Sequence, residues 1–354
     1  MLVCALVRHL SVLALATAAL GCASDASAPA SDALKLAFIP KTSNNLVFKI
    51  GNDGAQYAAR ALTSQSGRAV KVEYLATPTL DPVGEQELIR RAVAEKKDAL
   101  LVSCIDESIT DAIDEAAAAG IPVITYDSDC PTSARLGFYS MSSEATGAKA
   151  ADLLALALGS GPKTLAILSG RAGSDNLDRR VAGFMDRLAA EHPELTLATT
   201  VHCAETAETC GAALENEIIA QYPELDGLLV VGLWGLAAAC NCSESGLSCI
   251  CDDGQLPKWK AAARGKLKTV AFDSLPFELT LMQQGYVSAL IGQKYFGWGY
   301  DTVSLMHDHL TQGTEVSGFI DSGFDVVCPN HVDEMNQKWQ ASDFRTPLAP
   351  DCEL

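Results

Sequence analysis

Between Leu34 and Gln293 short apolar runs, many of them β-branched, alternate with longer runs whose apolar residues recur at helical spacing. Parallel strands need a crossover of a dozen or more residues, usually a helix, so this rhythm points to parallel sheets with both faces covered. The spacing predicts strands over 34–40, 70–76, 99–104, 123–127 and 135–141, with helices over 50–66, 82–97 and 108–119. Asp81 before Pro82 reads as a helix start, and Gly120 as a helix stop. A second series places strands over 164–170, 196–202, 227–233, 267–273 and 288–293, with helices running to His192 and Tyr222. About ten strands are too many for one small sheet, so the expected architecture is two doubly wound, parallel-sheet α/β domains side by side.

Ligands of open α/β sheets bind outside the carboxyl ends of the strands. The run Gly120-Ile-Pro-Val-Ile-Thr-Tyr-Asp-Ser-Asp129 ends there on two carboxylates and a hydroxyl. Asp127, Ser128 and Asp129 offer acceptors to a polyhydroxylated ligand or a metal, though they equally suit the cap of a following turn. Asp273 closes the strand after Phe272, and Gln293 closes another after Gly292. Asn176 and Arg180 are four apart on one helix face, near the helix amino terminus. A five-donor guanidinium there suits an oxygen-rich ligand. Arg171, in the preceding loop, is a further candidate.

The amino end is of another kind. Leu2 to Leu20 is apolar, carries Arg8 near its start, and is short for a membrane span, so it reads as a secretory signal. Its end, Ala18-Ala19-Leu20-Gly21-Cys22, resembles a bacterial lipoprotein signal, which implies lipid on Cys22; cleavage near Ala23 is the alternative. Residues 23–33 form an Ala/Ser/Pro tether. The formal charge of −18 becomes −19 once Arg8 leaves with the signal. So acidic a chain is not expected to bind nucleic acid, or membrane other than through the anchor.

Twelve cysteines less Cys4 and Cys22 leave ten, an even number in an oxidising compartment, where disulfides are the default. Cys203 with Cys210 would close a small loop. Cys104 and Cys130 leave the ends of adjacent strands, and Cys328 and Cys352 share the tail. Cys240, Cys242, Cys249 and Cys251 allow three pairings. Their Cys-x-Cys spacing also suits a soft metal, but the compartment favours disulfides, so no metal is expected.

No catalytic constellation is evident. The six histidines are scattered, Gly-x-Ser-x-Gly and Gly-Lys-Ser/Thr are missing, and no cofactor motif is present. No helix-turn-helix segment precedes Leu34.

Several stretches, in this order and at these separations, carry a resemblance. They are Asn44-Asn45-Leu-Val-Phe48 with Asp53-Gly-Ala-Gln56, Ile121-Pro-Val-Ile-Thr-Tyr-Asp127, Asn176-x-x-x-Arg180-x-x-Gly183-Phe184, Val270-Ala-Phe-Asp273 and Gln293. Over about residues 34–325 the chain resembles the periplasmic sugar-binding proteins of ABC transporters, of the ribose-binding type with the type I solute-binding fold. The resemblance implies that Phe48 lies against a sugar ring, that Asn45 contacts a hydroxyl, and that Arg180 and Asp273 face each other across the ligand. Phe48 also fits a core position, and the Asn-Asn pair also fits turn chemistry. Gln293 falls where the family crosses between domains. Where ribose-type relatives carry an Asn-Asp pair, this chain has Gly232-Leu233-Trp234-Gly235. Trp234 there is either a stacking platform or a core residue, and the identity of the sugar is left open.

The resemblance implies residues 34–142 with 294–322 as one ligand-binding domain and 143–293 with 323–354 as the other, joined by a three-crossing hinge near Ser142, Gln293 and Ser322. Residues 1–22 are the signal, ending at the lipidated cysteine. The implied function is a monomeric, extracytoplasmic receptor that captures a sugar or polyol in the inter-domain cleft and delivers it to an ABC transporter permease. The implied location is the periplasm of a Gram-negative-type bacterium, with a lipid anchor. A sensing subunit for a chemoreceptor or signalling kinase is the alternative, and a hydrolase on the same fold a remote one.

Overall fold

The computed structural model describes residues 33–242, 249–251, 266–341, 346, 348 and 351–354. The signal, Cys22, the tether and the side chains of Cys242 and Cys249 lie outside the described residues.

The first sheet opens with β1 (Leu34–Ile39), α1 (Leu46–Ser66), β2 (Val70–Tyr74), α2 (Pro82–Ala94), β3 (Ala99–Val102), α3 (Thr110–Ala118), β4 (Val123–Tyr126) and β5 (Gly137–Ser140). The chain then builds the second sheet from α4 (Ser143–Leu158), β6 (Lys163–Ser169), α5 (Asp175–Glu191), β7 (Leu195–His202), α6 (Ala207–Ala213), β8 (Gly227–Val230) and α7 (Trp234–Ala237). A two-residue hairpin, β9 (Asn241–Cys242) and β10 (Cys249–Ile250), precedes β11 (Lys268–Phe272), α8 (Pro276–Gln283) and β12 (Ala289–Gln293). Last come α9 (Tyr295–Gln312), β13 (Gly318–Asp321), β14 (Phe324–Val327) and α10 (Val332–Ala341).

The strand orders are β13-β5-β4-β3-β1-β2 and β14-β12-β11-β8-β6-β7. The two halves therefore repeat one topology, each a doubly wound α/β lobe. All pairs in the first sheet are parallel. In the second, β14 runs antiparallel to β12. Sequence pattern misses β13 and β14 because both are edge strands, β13 largely exposed and β14 half-buried, without a sustained apolar run. The chain passes between the sheets three times: from β5 to α4, which packs on β11 and β12, from β12 to α9, which packs on α1, and from β13 to β14.

Local chemistry sets the ends of the elements. The Asn45 side chain accepts from the Val47 N–H (3.1 Å) and starts α1 four residues before the apolar spacing suggests. The predicted helix to Tyr222 is instead α6 followed by a π-helical turn, Leu214–Ile219. Each lobe also has one helix pair held very close by glycine. A Cβ on Gly147 of α4 would lie 2.1 Å from the Arg180 carbonyl oxygen, and one on Gly183 of α5 2.2 Å from that of Glu144. That contact seats α5, with Asn176 and Arg180 on it, against α4.

Disulfides join Cys203 to Cys210, Cys240 to Cys251 and Cys328 to Cys352, all in the second half of the chain. Cys104 and Cys130, expected as a bonded pair, are instead two buried thiols. The Cys130 Sγ donates to the Asp106 carbonyl (3.4 Å), and burial pushes the Cys104 thiol well up, keeping it protonated.

Candidate functional site

The carboxyl ends of both sheets face one cavity of about 680 Å³ between the lobes. β4 and β11 hold the same place in their sheets, and each ends on a buried aromatic followed by aspartate: Tyr126-Asp127 and Phe272-Asp273. Both aspartates adopt left-handed backbone conformations, φ 60° and 83°. Each sends its N–H to the next strand, Asp127 to Tyr139 O (3.2 Å) and Asp273 to Ile291 O (2.9 Å). Aspartate visits this region more readily than most residues. The strain is held at matching points of both lobes, where both carboxylates line the cavity.

The Asp127 carboxylate accepts from Ser103 Oγ (2.9 Å) and, across the cleft, from Asn176 Nδ2 (3.1 Å). The Asn176 Oδ1 accepts from Lys41 Nζ (3.3 Å), which also donates to Ser174 Oγ (2.7 Å). Lys41 follows β1 in the first lobe, whereas Ser174 and Asn176 begin α5 in the second, so these bonds also span the cleft. The Arg171 guanidinium adds an ion pair to Asp106 (2.7 Å). These polar contacts help hold the lobes together around the cavity.

In the second lobe's wall, Arg180 is 2% exposed and lies over the Phe272 ring at 4.6 Å. Its Nη2 donates to Gln293 Oε1 (2.7 Å), while Gln293 Nε2 donates to Asp273 Oδ1 (2.7 Å). The Tyr295 hydroxyl donates to the same oxygen (2.9 Å). Arg180 and Asp273 therefore communicate through the Gln293 amide. Burial pushes the Asp273 carboxyl up, against the pull of Arg180, Gln293 and Tyr295. Burial likewise lowers Arg180, opposed by Asp273 and Asp127, yet an arginine keeps its proton in proteins. The buried Arg180 Nε meets no protein acceptor, leaving a donor for a bound oxygen.

Phe48 and Trp298 line the cavity with ring centroids 5.7 Å apart, so Phe48 serves core and site together. Trp234 lines it from the other lobe. Its ring fills the space over Gly232, where a Cβ would lie 2.3 Å away. Asn45 also lines the cavity, although its side-chain oxygen is engaged in capping α1.

Two of the expected residues are elsewhere. The left-handed turn at Asp127 diverts the chain, and neither Ser128 nor Asp129 lines the cavity. Asp129 is buried in a double hydrogen bond with Arg135 (2.5 Å each) and accepts from Thr125 (2.6 Å). Its role is structural. The Ser128 Oγ is buried without a protein partner. Conversely, Lys41, Glu205 and Trp298 line the cavity without having been singled out. Trp298 sits in the aromatic run directly after Gln293, which was a readable signal. Glu205 was not readable: it accepts from the Arg171 N–H (3.2 Å), with its carboxyl pushed up by burial against the pull of Lys41.

Two doubly wound lobes, joined by three passages and meeting over a polar cavity, define the class of hinge-closing, two-lobed binding proteins. The chain belongs to the periplasmic binding protein family, whose domain model matches residues 36–315. Among solved structures it is similar to an ABC transporter solute-binding protein from Burkholderia graminis C4D1M in complex with D-arabinose. The two are 25% identical with a TM-score of 0.73, over 85% of this chain and 96% of that one. An ABC transporter solute-binding protein from Agrobacterium vitis bound with α-D-tagatopyranose is also 25% identical, TM-score 0.72, over 84% and 96%. A second A. vitis protein, with bound D-fucose, shares the fold at 22% identity, TM-score 0.73, over 86% and 98%.

Proposed function

We propose that this chain is an extracytoplasmic solute-binding protein that captures a sugar in the inter-lobe cleft and delivers it to an ABC transporter permease. The observation that carries the reading is the cavity's composition: buried Asp127, Asn176, Arg180 and Asp273 beside Phe48 and Trp298. A sugar ring presents apolar C–H faces and a rim of hydroxyls, and this set supplies a partner for each. The solved relatives bound to D-arabinose, tagatopyranose and D-fucose support the same ligand class. The family match and the solved solute-binding relatives support a receptor.

In this reading the lobes are residues 34–142 with 294–322 and 143–293 with 323–354, and closure about the three passages presents the loaded form to the permease. The mature chain acts as a monomer, tethered by lipid on Cys22, in the periplasm, where its disulfides form. A thermal-shift panel of pentoses, hexoses and polyols, followed by titration calorimetry, tests the ligand class. A panel without any stabilising sugar removes the reading. Cys22→Ala should release the protein from membranes; an unmodified amino terminus beginning after Cys22 would disprove the anchor.

A further inference from the structure

The cavity is larger than one sugar ring fills. Granting each non-hydrogen atom the ~30 Å³ that a water molecule occupies in the liquid, a ring of about twelve such atoms takes roughly 360 Å³. Two joined rings, about 23 atoms, take roughly 690 Å³ on the same basis. The cavity measures about 680 Å³. The network of Asp127, Asp273 and Gln293 sits at the ends of β4, β11 and β12, in one half of each sheet. The cavity continues over the other half, past the ends of β1 and β2 in the first lobe and of β8, β6 and β7 in the second.

That second half repeats the equipment of the first. Trp234, Glu205 and Arg171 line it and meet around Gly170. A Cβ on Gly170 would lie 2.8 Å from Glu205 Cγ and 3.0 Å from the Trp234 ring, and the Glu205 carboxylate accepts from the Arg171 N–H (3.2 Å). The set is an aromatic face, a carboxylate and a guanidinium, as Trp298, Asp273 and Arg180 are at the other end. Arg171 reaches Asp106 through one Nη (2.7 Å) and has further donors. Lys41 is near enough to pull on the Glu205 carboxyl. The second Glu205 oxygen has no partner among the described residues, and neither have the side chains of Asn44 and Thr79, which line the same end from the first lobe.

The backbone marks Glu205 as well. Four described non-glycine residues hold a left-handed φ, and three of them are acids lining the cavity: Asp127 (60°), Asp273 (83°) and Glu205 (59°). Such strain persists where the surroundings impose it, and it gathers at ligand clamps. A weakly polar group over this end would leave its free polar atoms without water or partners. Water alone would satisfy those atoms but leave the Trp234 face uncovered. A second sugar ring brings both a rim of hydroxyls and an apolar face.

Resting on the sugar-receptor reading, we propose that the preferred ligand is a disaccharide. One ring lies among Asp127, Arg180 and Asp273, and the second lies against Trp234, bonded by Glu205 and Arg171. Calorimetric titration of the full mature chain tests this. The probes are the monosaccharide that binds best and the disaccharides that join a second pentose or hexose to each of its hydroxyls in turn. At least one disaccharide should bind about tenfold or more tightly than the monosaccharide. Glu205→Gln keeps the side chain's size and its acceptor for the Arg171 N–H while removing the charge. It should weaken that disaccharide about tenfold more than it weakens the monosaccharide, in a protein that still melts cooperatively. Trp234→Ala should shift the same ratio in the same direction. A monosaccharide bound at least as tightly as every disaccharide overturns the assignment and leaves the receptor reading standing. Equal losses for both probes in both variants place Glu205 and Trp234 around a single ring and overturn it too. Failure of every monosaccharide and disaccharide removes the receptor reading itself.

Discussion

Replacing Arg180 by alanine probes the site at its most exposed assumption. The guanidinium is 2% exposed, donates to Gln293 at 2.7 Å, lies 4.6 Å over Phe272 and keeps its Nε for a ligand. Loss of one hydrogen bond to a charged group costs about 1.5–3 kcal/mol, which is roughly ten- to a hundredfold in Kd. The variant also removes the cation that opposes the effect of burial on Asp273, so its carboxyl, already pushed up, is pushed up further. The expected loss is therefore at or above a hundredfold. Breaking a buried pair typically destabilises by about 3–5 kcal/mol. Because Asp273 retains its bonds from Gln293 and Tyr295, the lower end, about 3 kcal/mol, is expected here. That corresponds to a fall of roughly 6–12 °C in Tm for a domain of this size. Arg180→Lys keeps the charge without the fork and should fall between. Calorimetric titration with the best sugar from the panel, beside a thermal melt, reads both effects. If the folded Arg180→Ala variant binds within about 0.5 kcal/mol of the parent, the guanidinium is not a ligand group and the construction of the site is wrong.

Three further outcomes follow from the same geometry. Gly147→Ala places a methyl 2.1 Å from the Arg180 carbonyl oxygen, so α4 and α5 must separate; the expected cost is about 1–3 kcal/mol, with sugar affinity falling as Arg180 moves, and an unchanged melt would contradict the tight helix contact. Burial raises the Asp175 carboxyl from 3.8 to about 6, with Arg179 opposing and Asp129, Glu144 and Glu107 adding to the rise. The folded protein thus holds that proton more tightly than the unfolded chain, so its contribution to stability is present below about pH 4 and is lost as the pH rises through about 6. Melting temperatures of Asp175→Asn and the parent should therefore diverge across that window, and parallel pH profiles count against the shift. Removing the Cys328–Cys352 bond, which spans 24 residues of sequence, should cost about 3 kcal/mol, and a double serine variant with the parent's Tm would show that the bond is not formed in solution.

Most of the architecture could be read from local pattern because its elements declare themselves locally. Val123–Tyr126 is short, apolar and β-branched, and is buried on both faces, so the pattern and the environment agree. Asp81-Pro82 starts α2 by the capping chemistry that the two residues carry anywhere. The site residues Asp127, Arg180, Asp273 and Gln293 were legible for a related reason: each sits at a strand end or in the first turns of a helix, where the topology alone aims side chains at one cleft. Pattern fails where the environment is mixed. The edge strand Gly318–Asp321 is largely exposed, and Phe324–Val327 is half-buried and runs antiparallel to its neighbour.

What only the tertiary structure decided are relations between distant residues and the outcome of single backbone angles. Lys41 closes the cleft through Ser174 and Asn176, 133 and 135 positions away, and nothing near Lys41 in sequence announces it. One left-handed φ at Asp127 separates three adjacent polar residues, keeping Asp127 in the cavity and sending Asp129 to Arg135. The physical reason is one of range. Periodicity and capping are set by interactions within a few residues, which the sequence contains in full. Cavity lining, lobe closure and the choice between a thiol and a disulfide depend on atoms brought together only after both sheets have formed.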